Sequence, residues 1–420
     1  HSRTTIKDQT RKLWRIRFDL KQERTPICNK AELLPRLDER LVTNHSLAHN
    51  NHSNAQHLTY RLLKGRGLYW SPSGGTTSNG SAECSCLPCT YSENEAMRLL
   101  LRDEFRARGI LDGGVAINLM TAGHLYRSME VFQHAFVKGG VTEIPLGVEA
   151  SDDSIVSACQ RFGVTTICAY PSRLVQLAAY LHENGLVIPL VKTLVFGGEK
   201  FTQRHREFVA SAMNAGGGTG RVRFHGVYGS SETGVFACTD GRDEEVDVYH
   251  YSCDGVLVEI LQLDGLDEEC EAGETGRIVA TNLLRKEFPI VRYDTQDVGR
   301  RVGRHSFTVD GRHEAAARYP LGRFNLDFNE ICAACLGPIQ DTSSLCVAQI
   351  WITTRDNYDV VRLCVYSADP CEQSVVDEVR SRLASFLSPA LTEVEVVPHM
   401  HLLHRATRSA KLLPFVDKRT

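Results

Sequence analysis

The chain has 420 residues, 42% hydrophobic and 24% charged, a composition that excludes a disordered or fibrous protein and suffices for more than one domain. Its formal net charge of -3 excludes the strongly basic surface that non-specific nucleic-acid binding needs, so no nucleic acid is expected as a partner. No apolar run reaches the roughly 20 residues of a bilayer crossing, and no membrane partner is expected either.

The first residues lack an apolar signal core and a small-residue cleavage site. Because the sequence begins at His1, part of the native N-terminus is expected to be missing. The fourteen cysteines are spread through mixed α/β patterning, which predicts reduced thiols and a cytoplasmic protein. A helix is predicted over Lys30 to Leu41, followed by a polar, histidine-bearing linker over 43–57. The densest thiol cluster, Cys84, Cys86 and Cys89, has partial zinc-site character and could recruit Cys238, His250 or Cys253 as a fourth ligand. The alternative is a loop of small, partly buried thiols.

From Thr90 to Phe236 strand and helix periods alternate. SDDSIVSACQRFG opens with capping residues, repeats Ile155, Cys159 and Phe162 on one face and stops at Gly163, which predicts an amphipathic helix. VTTICAY reads as a short strand. PSRLVQLAAYLHENG starts with Pro171, places Leu174, Leu177, Ala178 and Leu181 on one face and ends at Gly185. KTLVF, TQRHREFVASAMNAG and VRFHGVY repeat strand, helix and strand. Such units imply a parallel sheet covered by helices, with ligands at the carboxyl ends of the strands, here the loops after Phe196 and Tyr228. After Gly255 shorter strands, VLVEILQL and GRIVATNLL, predict a β-rich subdomain. Beyond Arg312 the strands VAQIWITT and VVRLCVYS and a helix from Ser374 to Phe386 predict a small α+β domain. The fold class is thus α/β: a large domain over 1–311, with mostly parallel sheets, helices and a β-rich subdomain, and a small one over 312–420.

Three segments carry chemistry. Ser71 to Gly80 combines glycines, whose amides can approach phosphate closely, with several hydroxyl donors; as a lone segment it reads more often as a flexible loop. Tyr228-Gly-Ser-Ser-Glu-Thr-Gly234 follows a strand and sets an aromatic ring beside Glu232, a carboxylate able to hold Mg2+. Phe288 to Gly299 offers Asp294, near Arg292, as an acceptor for ribose hydroxyls; the plainer reading is a surface ion pair.

The ordered series SGGTTSNG, YPS, FGGE, YGSSETG, GETGRIVATNLL, RYDTQDVG and a late lysine resembles the adenylate-forming superfamily, in particular its phenylacetate-CoA ligase branch. The resemblance runs from Tyr69 to the end. It implies a small domain that is mobile, and a reaction in two steps: a carboxylate attacks the α-phosphorus of ATP to give an acyl adenylate and pyrophosphate, then a thiol displaces AMP. It implies ATP and Mg2+, a small carboxylic acid, expected to be aromatic, and coenzyme A as acceptor, with a carrier-protein thiol, an amine or a reductase as alternatives. A homodimer is common in that branch.

Residue by residue, the resemblance matches Ser73, Gly74, Gly75, Thr76, Thr77, Ser78 and Gly80 to the triphosphate loop and Tyr228, with Gly229, Ser230, Ser231 and Thr233, to the adenine-side segment. Glu232 matches the Mg2+ ligand and Asp294 the ribose ligand. Gly197, Gly198 and Glu199 match the turn between substrate pocket and adenine, while Tyr170, Pro171 and Ser172 match a pocket wall. His225, His124, Tyr126 and Phe132 are further pocket candidates. Arg312 matches the arginine that begins the hinge, with Glu314 in its acidic position, and Lys411 matches the catalytic lysine, with Lys418 as its competitor. The phosphate loop departs from the family in carrying Asn79 and Ser81 and no terminal lysine, and the hinge segment matches only at its start. Two readings of other classes stay open: a nucleotide-binding homologue without turnover, and a zinc-stapled interaction module.

Overall fold

The computed structural model describes the chain from Gly67 to Arg419, apart from residues 73–85, 113, 124, 215–220, 242–246, 264–266, 313–317, 322–323, 356–357, 388–390 and 407–410. The helix expected over Lys30 to Leu41, the linker over 43–57, the triphosphate loop, Cys84, His124 and Glu314 lie outside the described residues. The chain divides into two compact units: His1–Asp112 with His134–Gly140 and Gly226–Gly311, and Gly113–Gln133 with Val141–His225 and Arg312–Thr420.

In the unit that ends at Thr420, four parallel strands stand in the order Thr193–Gly197, Thr166–Ala169, Val115–Asn118 and Thr142–Pro145. The helices between them form where the spacing predicts. Ser151 caps Asp152–Phe162 by accepting from the Ser154 amide at 3.2 Å, and Gly163 ends that helix in the left-handed region. Pro171 opens Pro171–Asn184, whose Leu174, Leu177, Ala178 and Leu181 are buried. Ile155 and Cys159 face the core as expected, but Phe162, the last residue of the helix before Gly163, is 50% exposed under the Arg161 guanidinium.

The same unit holds a four-stranded sheet, Thr392–Val397, Tyr358–Ser367, Cys346–Arg355 and Phe415–Asp417. One face packs on the helices Phe328–Cys335 and Gln373–Phe386 through Ile350, Ile352, Leu363 and Val379. Val347, Trp351 and Tyr366 join Leu174, Leu177 and Phe208 in a second core shared with the parallel layer.

The other unit is β-rich. Val256–Leu261, Thr275–Asn282 and Ile290–Gly303 form an antiparallel run, and Gly234–Thr239 pairs back on the strand that ends at Ser230. The helix Tyr91–Ala107 is capped by Thr90 and Glu93 in a reciprocal capping box. Among the described residues no helix is long and apolar enough to cross a membrane.

Candidate active site

Glu232 sits in the tight turn between Arg223–Ser230 and Gly234–Thr239. The Ser230 hydroxyl accepts from the amides of Glu232 and Thr233, each at 3.2 Å, so a local side chain satisfies the turn's backbone. The Asn282 amide donates to the Thr233 carbonyl at 2.7 Å, and the Arg285 guanidinium donates to the Glu232 carbonyl at 3.0 Å. Behind them Glu93 accepts from the Lys286 and Glu287 amides at 2.6 and 2.7 Å. Burial opposes ionisation of Glu93, yet the hydrogen bonds from Thr90, Glu287 and Lys286 hold it below the usual carboxylate range. Burial likewise pushes the Arg285 pKa down, against the charges of Cys89, Glu93 and Glu232. Glu232 itself is 2% exposed, and its Oε1 has no hydrogen-bond partner among the described residues. A buried carboxylate oxygen without a donor fits a divalent cation, since hard cations take oxygen ligands.

Tyr228 is fixed by its neighbours. Its hydroxyl donates to Asp297 at 2.8 Å, and its ring meets Phe236 and Phe307 edge-on, each with centroids 5.5 Å apart. Asp294, the residue expected near Arg292 and at ribose, is committed elsewhere: its Oδ2 accepts from Arg277 at 3.1 Å and its Oδ1 from the Gln296 amide at 2.8 Å. Arg292 instead pairs with Glu259 and Asp267, at 3.2 and 3.0 Å. The reason is a bulge. Val279 pairs with Asp294 while Arg277 pairs with Val298, and Gln296 has φ of 61°, so the strand is kinked between the two aspartates. Asp297, which the sequence reading passes over, is the carboxylate at Tyr228.

In the other unit the FGGE turn closes the strand Thr193–Gly197. Gly198 has φ of 81°, and a Cβ built on it would lie 2.9 and 3.0 Å from Lys411 Cε and Nζ, and 3.3 Å from a Tyr170 ring carbon. The bare glycine is therefore what lets the lysine reach the turn. Lys411 Nζ lies 6.0 Å from the centroid of the Tyr170 ring, whose hydroxyl shares a 3.0 Å hydrogen bond with Ser128 and whose pKa burial raises. The competing Lys418 lies on the Trp351 ring, 3.2 Å from its centroid, and burial lowers its pKa.

Glu199 spans its surroundings: it accepts from the Ser172 amide at 2.9 Å, the Ser172 hydroxyl at 3.1 Å and the Leu412 amide at 2.8 Å. Beside it, with Ser172, His205, Phe328, Met400 and Leu412 in its wall, is a cavity of about 210 Å³, below the roughly 300 to 1,000 Å³ of small-molecule pockets and so too small for a nucleotide. Pro171, Gly197, His225 and Phe132 are buried, whereas Arg312 is exposed. Among the described residues no group of three or more His, Cys, Asp or Glu is placed to hold a metal, so Cys89, Cys238, His250 and Cys253 do not form such a site by themselves.

Residues 95–282 match the family described as AMP-binding enzyme. No curated protein matches the chain in sequence. Among solved structures, the chain resembles 2-hydroxyisobutyryl-CoA ligase in the postadenylation state in complex with R3-HIB-AMP, at a TM-score of 0.64 and 15% identity over 94% of this chain and 80% of that one. ATP-bound MatB from Rhodopseudomonas palustris gives 0.53 and 15%, over 82% and 66%. McyG A-PCP complexed with phenylalanyl-adenylate gives 0.53 and 13%, over 80% and 64%.

Proposed function

We propose that the chain, whose residues 95–282 match the AMP-binding enzyme family and whose fold resembles that of solved acyl-CoA ligases, activates a small carboxylic acid with ATP and transfers the acyl group to a thiol, coenzyme A first. The observation that carries the reading is Lys411 lodged against the side-chain-free Gly198 and facing Tyr170. A half-buried cation contact that depends on a glycine at positive φ has no value to a passive surface lysine.

In the first step a carboxylate oxygen bonds to the α-phosphorus and the bond to the pyrophosphate oxygen breaks, so negative charge gathers around phosphorus. Lys411, a compact cation on a long stem, stabilises that charge at the Gly197-Gly198 turn. Glu232 is the residue to hold Mg2+, and the metal when bound neutralises charge on the phosphate oxygens. Tyr228 offers its ring to the adenine. The ribose role passes from Asp294 to Asp297, because Asp297 is the carboxylate hydrogen-bonded to Tyr228. Tyr170, Pro171 and His225 are proposed for the acid's pocket, where the buried phenol and imidazole suit an aromatic ring, the feature of the phenylacetate-CoA ligase branch. Residues 312–420 are proposed to act as the small mobile domain that brings and withdraws Lys411.

The test is ATP-pyrophosphate exchange across a panel of aryl and alkyl acids, followed by thiol dependence with the acid that responds. Exchange followed by coenzyme A-dependent release of AMP is the expected result. Exchange that only a carrier-protein thiol completes would redirect the second step, as the carrier domain of McyG A-PCP suggests. Nucleotide binding with no exchange for any acid would overturn the reading in favour of a homologue without turnover.

A further inference from the structure

Lys411 stands on a short hairpin formed by residues 404–406 and 411–413. Arg405 and Leu412 form an antiparallel bridge, the Ala406 amide donates to the Lys411 carbonyl at 2.8 Å, and the Leu413 amide donates to the His404 carbonyl at 3.2 Å. The base of the hairpin belongs to the C-terminal sheet. Gln349, fully buried, donates to the carbonyls of His404 and Leu413 at 2.8 and 2.6 Å and accepts from the His404 amide and the Trp351 indole at 2.9 and 2.6 Å. That uses the donors and acceptors of the amide in full.

The outer part of the hairpin belongs to the parallel layer. Arg405 donates to the Ser172 hydroxyl at 2.8 Å, the Ser172 carbonyl at 3.2 Å and the Gln176 side chain at 3.0 Å. On the opposite strand Leu412 donates its amide to Glu199, which is itself fastened to Ser172. Ser172 is thus the shared post: its hydroxyl gives its proton to Glu199 and takes one from Arg405. Gln349 would keep the hairpin on its own sheet wherever that sheet went, whereas Arg405 and Glu199 decide whether Lys411 is held at Gly198.

We propose that Arg405 and Glu199, meeting at Ser172, form a latch that positions Lys411 for adenylation and must open for the lysine to withdraw. They are positioning residues: they act through the hairpin and stabilise no charge on the reacting atoms. The proposal rests on the adenylation reading above. A guanidinium suits the task, because its fixed fork reaches several acceptors at once, which an ammonium cannot do.

The experiment compares wild type with Arg405→Ala, Arg405→Lys and Ser172→Ala, with melting temperature as a control. Lys411 is probed without substrates by timed acetylation with an amine-reactive ester, read by peptide mass spectrometry. The latch predicts a several-fold faster acetylation of Lys411 in Arg405→Ala, and no change at Lys418, which the Trp351 ring and the Ile352 carbonyl keep on the sheet. In pyrophosphate exchange, kcat should fall about tenfold or more with KM for ATP within about twofold, since a misplaced cation weakens the transition state and not ground-state binding. Arg405→Lys should lie between, and a chemically supplied acyl adenylate should react with thiol at an undiminished rate. Unchanged Lys411 acetylation in folded Arg405→Ala, or equal loss in both half-reactions, would overturn the latch. Should Arg405→Ala fail to fold, Ser172→Ala, which removes one small hydroxyl, gives the same test with a smaller effect. If wild type shows no exchange with any acid, the adenylation reading falls, while the acetylation result still decides whether the latch exists.

Discussion

Glu232 and Lys411 carry the two charges on which the proposed chemistry depends, and the chain secures them in opposite ways. The carboxylate is fixed by its own turn: Ser230 and Thr233 satisfy the backbone within three residues, and Asn282 and Arg285 brace the same carbonyls. The hairpin of the lysine is tied at its base to Gln349, but it is fastened beside the Gly198 turn through partners more than 200 positions away, Ser172, Gln176 and Glu199. A group held locally stays in place when larger pieces of the molecule move, and one held only through distant contacts moves with the piece that carries it. The carboxylate therefore suits a cation that must be in place whenever ATP binds, and the lysine a charge that is brought in for one step and withdrawn for the next.

The largest effect expected follows from that contrast. Lys411→Ala should slow pyrophosphate exchange by on the order of 10²- to 10³-fold, the scale for removing one preorganised charge contact, and leave thiolysis of a supplied adenylate intact. Stopped-flow measurement of the two half-reactions in one preparation checks this. Equal losses would mean that the lysine is not the adenylating group. Lys418→Ala, which breaks a stacking contact with Trp351, should lower melting temperature and spare both half-reactions.

Glu232→Gln should weaken adenylation, raising the Mg2+ concentration for half-maximal exchange by roughly 10- to 100-fold. The substitution keeps the volume and removes the charge, so melting temperature should hold or rise, since a buried carboxylate oxygen without a donor is costly. A metal dependence identical to wild type would remove Glu232 from the cation site and with it the contrast drawn above.

What could be read from the sequence was whatever has local causes. Ser151, Gly163, Pro171 and Gly185 mark helix ends because capping and left-handed backbone are properties of a few adjacent residues, and they mark them correctly. Lys411 could be singled out from its local context, small residues before it and an apolar pair after it. Arg405 was not, because its role is defined by residues more than 200 positions back that the fold alone brings near. Asp297 escaped for a different reason. In a regular strand residues 294 and 297 face opposite sides, so choosing the first excludes the second; the bulge at Gln296 removes that rule, and no residue type announces it.

Gly198→Ala tests how close the lysine must come. A methyl group there meets the far end of Lys411, which can yield, and a Tyr170 ring carbon at 3.3 Å, and the backbone at φ of 81° costs an alanine roughly 1 to 2 kcal/mol. Exchange should fall about tenfold by displacement of Lys411, with a modest drop in melting temperature. Folded protein with full activity would show that the ammonium does not need that approach.

The smallest effect separates the two aspartates. Asp297→Asn keeps an oxygen for the Tyr228 hydroxyl and weakens acceptance from ribose by roughly 1 kcal/mol, about fivefold in KM for ATP, with melting temperature little changed. Asp294→Asn should do the reverse. It leaves the largely buried Arg277 guanidinium beside a neutral amide, which should cost about 1 to 2 kcal/mol of stability while KM for ATP stays at the wild-type value. Comparing ATP with 2′-deoxy-ATP sharpens the assignment: if Asp297 accepts from the sugar, discrimination between the two nucleotides should shrink in Asp297→Asn and persist in Asp294→Asn. The opposite pattern would return the ribose to Asp294 and require the bulge to rearrange when nucleotide binds.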